Sequence, residues 1–135
     1  MQDKHIHWAS GQIHWDRLER DVMHRLDELA DALVHEREWV VRRLRRHLQD
    51  QLSWLMSDQE MLMEGHCYHK PGLRARHLRQ HRYFQNWLRA VDMSTLPSQV
   101  VSVQSWWIES HVAHLDRQLF LEIGRAPEQH HVLSA

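Results

Sequence analysis

The chain has very few residues that form turns, with 4 Gly and 3 Pro among 135 residues. Folds built from β-strands need a turn every few residues, whereas long helices need few connections. A chain of this length forms one domain and is long enough to bury a core. We therefore expect a single all-α domain over residues 1–135, with residues 1–10 as an N-terminal arm and residues 125–135 as a C-terminal tail.

Apolar residues that recur at intervals of three and four predict the helices. The first helix is expected over about 12–33, with Ser10 as its N-cap. No Gly or Pro marks its end, which we place near Val34-His35-Glu36. The alternative is one helix that continues to Gly65, which would be unusually long for a globular protein.

The remaining helices are bounded by clearer signals. The second carries apolar residues from Val40 onward and ends at Gly65. The third runs from about Leu73 to Val91, and the fourth opens at Pro97 or Ser98 and stops at Gly124. Since the connections are short, we expect an antiparallel four-helix bundle with up-down-up-down topology.

Charge, cysteine content and the N-terminus exclude several functional classes. The formal net charge is -1, so nothing drives the chain toward nucleic acid. We expect no signal peptide and no membrane span, because no segment has a long enough apolar run. The single cysteine, Cys67, rules out an internal disulfide and fits a reducing compartment, so we expect a cytoplasmic protein.

Some of the 14 histidines fall in a pattern that suits a metal ion. His77 and His81 form an HxxxH, which places both side chains on one face of a helix. His111 and His24 lie on two other predicted helices, and side chains from facing helices build metal sites inside bundles. Imidazole suits zinc, copper, iron and nickel. The alternative is that a histidine-rich chain produces an HxxxH by chance, with both residues on a solvated face.

The partner of His111 on its own helix is left open by spacing alone. Asp116 would add an anionic oxygen ligand, but it lies five residues further on, about 140° around an α-helix. His114 lies three residues further on and shares the face of His111. Geometry alone therefore favours His114.

Several segments together resemble the bacterial hemerythrins, the HHE cation-binding family of four-helix bundles that bind dioxygen at a non-haem di-iron centre. The segments are Trp8, Leu18 and Asp21 ahead of His24; Gln59-Glu60-Met61-Leu62-Met63 followed by Tyr68; His77-x-x-x-His81; and Trp107-x-x-x-His111-x-x-x-x-Asp116. The resemblance covers about Trp8 to Leu119. It implies that the metal ligands are His24, His77, His81, His111 and Asp116. It favours Asp116 over His114, which would lie beside the ligands or at the surface.

The second helix departs from the family pattern. The family has a histidine ligand there and a bridging glutamate four residues later, and the register places Leu55 and Gln59 at these positions. We expect both to face the interior near His24, His77 and Asp116, and neither to be an effective ligand. Either a single metal binds, or the centre is vestigial, or nearby groups stand in for the missing ligands. Such groups include Glu60, Glu64 and His66, and Gln59 could also substitute for a ligand or contact one.

The resemblance implies a hemerythrin-like iron protein, di-iron or mononuclear, that binds or senses dioxygen or a related small ligand. We expect no enzymatic activity, because the ligand set includes no evident general base or nucleophile. The alternative is a regulatory or interaction bundle that holds one structural or sensed zinc or iron ion. The last hypothesis is a helical interaction module with chance histidines. A protein partner or a homo-oligomer is compatible with each of them.

Overall fold

The computed structural model describes residues 2–65 and 71–121, with side chains described from position 15 onward in the first range. The helices are α1, Gln2–Val34; α2, Glu38–Gly65; α3, Pro71–Ala90; and α4, Pro97–Trp106. α4 continues without a break into a π-helical segment, Trp107–Asp116, and then into α-helix to residue 121. The described residues contain no strand, so the all-α prediction is confirmed. His66, Tyr68, Gly124 and the C-terminal tail lie outside the described residues.

α1 begins much earlier than its sequence indicates. The predicted start near residue 12 and the Ser10 N-cap are wrong, because the helix already includes residues 2–10. No proline interrupts this stretch. Gly11 costs a helix about 1 kcal/mol relative to alanine, which is too little to end it.

The break between α1 and α2 lies where it was predicted, at residues 35–37. Glu36 has a φ of 53°, the left-handed conformation that commonly ends helices. The backbone N–H of Arg37 donates to the carbonyl of Ala32 at 2.9 Å, and that of Glu36 donates to Leu33 at 3.2 Å. These bonds close the last turn of α1, so a single helix continuing to Gly65 is excluded.

Both boundaries of α3 and the start of α4 agree with prediction to within two residues. Pro97 occupies the first turn of α4, where its missing N–H is not needed. The side chain of Gln99 reaches back and accepts a hydrogen bond from the backbone N–H of Leu96 at 2.9 Å.

Each helix packs against two neighbours. α1 contacts α2 and α4, α2 also contacts α3, and α3 contacts the π-helical segment. This all-helical arrangement is consistent with a helix bundle. In the described part of the chain, no helix combines the length and apolar character that crossing a bilayer requires.

The core consists of two apolar clusters with a polar layer between them. The smaller cluster contains Trp15 and Leu119, and the larger contains Val22 and Trp107. Along α1, the buried Glu19 falls between Trp15 and Val22. Buried polar residues of the π-helical segment likewise fall between Trp107 and Leu119. The apolar clusters therefore shield this polar layer from water on both sides.

Candidate metal centre

Four buried side chains in the polar layer meet at one point. His77, His81, His111 and Asp116 each offer a ligand atom, and these atoms all lie within 4.8 Å of one another. All four residues are at most 1% exposed. The structure thus brings together four of the five residues that the sequence predicted as ligands, and the group could hold a metal ion.

The HxxxH on α3 supplies two of the imidazoles. His77 and His81 are one helical turn apart, so both rings point to the same side of α3, with centroids 4.6 Å apart. The Nε2 atoms of His77 and His81 lie 3.2 and 3.0 Å from Oε1 of Gln59 on α2. The two ring nitrogens therefore converge on the interior.

The π-helical segment explains why Asp116 joins this group. Its i→i+5 hydrogen bonding gives it more residues per turn than an α-helix, so residues five apart share a face. Oδ1 of Asp116 lies 3.0 Å from Nε2 of His111 and 2.9 Å from Nε2 of His77. His114 is exposed. The choice of Asp116 implied by the resemblance agrees with this geometry, and the choice of His114 by α-helical spacing is wrong.

The ring of His111 is held in one orientation by two neighbours. It stacks on Trp107, with centroids 3.9 Å apart and planes inclined by 11°. Its Nδ1–H donates to Oε1 of Gln80 at 2.9 Å. In a neutral imidazole the other nitrogen then carries a lone pair. This lone pair faces Oδ1 of Asp116 at 3.0 Å. Because both atoms are electron-pair donors, a cation bound between them would stabilise this arrangement.

The two α2 residues at which the sequence departs from the hemerythrin pattern both face the interior. Gln59 and Leu55 are fully buried, and Gln59 contacts His77 as predicted. Leu55 packs in the smaller apolar cluster. Glu60 reaches only the margin of the site, with Oε2 3.9 Å from Nδ1 of His81 and a side chain that is 42% exposed.

His24 does not join the group, contrary to the expected ligand set. Its side chain is 77% exposed and pairs with Glu28 on the same helix at 3.0 Å. Val22 and Leu26, two positions away on either side, are fully buried. Since two residues correspond to about 200° around an α-helix, His24 must lie on the opposite face.

Glu19 is the residue that α1 contributes to the polar layer, and sequence reasoning missed it. It is 6% exposed, its carboxyl group interacts with that of Asp116, and its Oε1 is buried without a hydrogen-bond partner. The signal was present in the sequence, because Glu19 occupies a core position in a stripe spaced at threes and fours with Trp15, Val22 and Leu26. Gln80, inside the HxxxH, was also missed, and no sequence signal distinguishes it from other helix-surface glutamines.

Burial controls the charges of the site. Burial, together with repulsion from His111 and His77, lowers the pKa of His81 to about 2. Burial also lowers the pKa of His111. Burial, followed by the hydrogen bond and charge of Asp116, raises the pKa of Glu19 to about 11. Burial alone would raise the pKa of Asp116, but His111 and the hydrogen bond from Glu19 outweigh it and hold that pKa below its usual range.

These charge states suit metal coordination. Imidazoles must be neutral and the carboxylate ionised to act as ligands, and His81, His111 and Asp116 meet this condition at neutral pH. Three imidazole nitrogens with one carboxylate oxygen are donors accepted by both zinc and iron. No family model, curated protein or solved structure compared with the chain matches it.

Proposed function

We propose that this protein is a hemerythrin-like non-haem iron protein that binds or senses dioxygen or a related small ligand. The observation that carries the proposal is the buried group of three histidines and one aspartate, whose ligand atoms converge within 4.8 Å. An iron ion held there would supply the redox chemistry for such a ligand. The apolar clusters on both sides would exclude water from it.

The proposal includes the antiparallel up-down-up-down bundle, because contacts between neighbouring helices run in opposite sequence order. Between α1 and α2 the contacts are Trp15 with Asp58 and Arg25 with His47. Between α2 and α3 they are Gln59 with His77 and Arg45 with Val91. Between α3 and the last helix the contacts are Gln80 with His111 and Phe84 with Trp107. Between the last helix and α1 they are Asp116 with Glu19 and Gln104 with Met23.

A mononuclear centre is favoured over a di-iron centre. The second iron of the family would need donors from α1 and α2, where His24 points to solvent and Leu55 offers no ligand atom. The four converging ligands instead serve one ion. We include a cytoplasmic location in the proposal, because a single cysteine suits a reducing compartment.

The alternative candidate is a regulatory bundle with one structural or sensed ion, zinc or iron. Three histidines and one carboxylate can complete the tetrahedral set of a closed zinc site. The missing donors at Leu55 and Gln59 favour this candidate as well, since they remove the dinuclear chemistry of the family.

Metal analysis of the purified protein together with its optical spectrum tests the two candidates. We expect about one iron per chain, and one zinc would favour the alternative. Replacing both His77 and His81 with Ala should abolish stoichiometric metal, because half of the converging ligands are lost. The matched control is His24→Ala, which removes an exposed histidine and should leave metal content unchanged. Full metal content in the dialysed double variant would place the metal elsewhere and refute the proposal.

A further inference from the structure

We propose that Glu19, on α1, is a fifth ligand of the metal centre, so that the ion is bound by three imidazoles and two carboxylates. This inference rests on the proposed metal site. It concerns a residue at a position other than that of the expected α1 ligand, His24.

The position of Glu19 is that of a core residue. It lies in the apolar stripe of α1, between Trp15 and Val22, and only 6% of it is exposed. Glutamate is almost never buried to this extent unless it has a partner. The described residues give it no Arg or Lys as an ion-pair partner. Its position is therefore explained only by the polar layer that it faces.

The partner of Glu19 is the carboxylate at the middle of the site. The carboxyl groups of Glu19 and Asp116 interact, and Oε1 of Glu19 is buried without a hydrogen-bond partner. Oδ1 of Asp116 also lies within 3.0 Å of Nε2 of both His77 and His111. Two buried carboxyl groups in contact repel each other unless a proton or a cation is shared between them. A metal ion bound by both carboxylates would be that cation.

The balance of charge favours Glu19 as a ligand. A divalent ion with three neutral imidazoles and the Asp116 carboxylate leaves one positive charge in a buried site. A buried charge is costly unless it is compensated. The carboxylate of Glu19 brings the total to zero. A second oxygen donor also suits iron or manganese better than a closed four-coordinate zinc site.

The test compares wild type with Glu19→Gln, which has nearly the same shape and can still donate a hydrogen bond to Asp116 but carries no charge. The full-length chain is freed of metal and titrated with Co²⁺ against a competing chelator, and the visible ligand-field bands are recorded. We expect Glu19→Gln to weaken Co²⁺ binding at least about tenfold. Its bands should intensify toward those of four-coordinate cobalt. Glu28→Gln, an exposed acid on the same helix, should change neither.

The outcomes separate this inference from the proposed function. If wild type binds no Co²⁺, the metal site itself is refuted and Glu19 has no role in it. If wild type binds Co²⁺ and Glu19→Gln keeps both the affinity and the band intensities, Glu19 is a structural hydrogen-bond donor and not a ligand. Glu19→Asp keeps the charge on a shorter side chain, and recovery of part of the lost affinity would support the carboxylate role. If Glu19→Asp binds Co²⁺ no more tightly than Glu19→Gln, the carboxylate role is contradicted.

Discussion

Single residues of the site depend on partners that are not themselves ligands. His111 could rotate about its side-chain bonds, but Trp107 covers one face of its ring and Gln80 accepts its Nδ1–H. Such partners fix which nitrogen carries the proton and raise the basicity of the other one. The orientation of Nε2 of His111 toward Asp116 is therefore fixed by residues from two different helices.

Removing the partner of His111 should weaken metal binding without removing a ligand. We expect Gln80→Ala to reduce metal affinity by about 10- to 100-fold, because Nδ1 of His111 loses its acceptor. A titration against a chromophoric chelator measures this. Arg79→Ala, an exposed neighbour on the same helix turn, is the control and should bind as wild type does. Equal affinities for both variants would contradict the positioning role of Gln80.

The altered α2 positions offer a test of the relation to di-iron centres. Leu55 and Gln59 are one turn apart and both fully buried, so Leu55→His with Gln59→Glu would place a histidine and a carboxylate inside the bundle. We expect metal content to rise from about one to about two irons per chain, the stoichiometry of such bundles, with the buried Glu19 as the donor from α1 because His24 is exposed. Leu55→His alone should stay near one iron. A double variant that folds, as judged by its thermal melt, but still binds one iron would refute this relation.

At the scale of the element, the π-helical segment decides the composition of the site. In an α-helix, His111 and Asp116 would be about 140° apart, and the aspartate could not reach the histidines on α3. The segment's i→i+5 bonding aligns them, and π-helices are rare and often found at functional sites. The geometry of one helix segment therefore brings an anionic side chain, instead of a neutral one, to the candidate metal site.

The junction of α1 and α2 contains a local strain that can be relieved. Glu36 adopts a left-handed conformation, which costs an L-residue roughly 1–2 kcal/mol and glycine almost nothing. Part of that gain is offset by the greater freedom of glycine in the unfolded chain. We expect Glu36→Gly to raise the free energy of unfolding by about 0.5–1 kcal/mol, measured by urea denaturation. Arg37→Gly, next to it but without a positive φ, should lower it, and the opposite order would contradict the argument.

At the scale of the whole molecule, the buried titratable groups act on stability with opposite signs. The pKa of His81 falls from 6.5 to about 2 on folding, and that of His111 also falls. Below pH 6.5 these two histidines are protonated in the unfolded chain but stay neutral in the folded chain. The free energy of unfolding therefore declines as the pH falls. The pKa of Glu19 rises from 4.5 to about 11. The folded chain therefore holds an extra proton between these values, and stability declines as pH rises through this window.

We therefore expect the metal-free protein to be most stable near pH 6.5. Each proton changes the free energy of unfolding by up to about 1.4 kcal/mol per pH unit. Below pH 6.5 the two histidines outweigh Glu19, and above it Glu19 acts alone. Urea denaturation in the presence of a chelator at pH 5, 6.5 and 8 measures this profile. Glu19→Gln should remove the decline on the alkaline side, and a wild-type stability that rises from pH 6.5 to pH 8 would contradict the protonated state of Glu19.

The sequence by itself determined the all-α class, the bounds of α2 and α3 and the start of α4 to within a few residues, and the three converging histidines. These follow from local properties, since the scarcity of turn formers and the four-residue spacing of His77 and His81 act within one stretch of chain. Only the tertiary structure decided that α1 presents Glu19 instead of His24 and that a π-helical segment brings in Asp116. The contact between Gln80 and His111 likewise depends on how the two helices pack together. The rotation of a helix about its axis depends on how its whole apolar face packs against its neighbours, and no single motif on that helix specifies it.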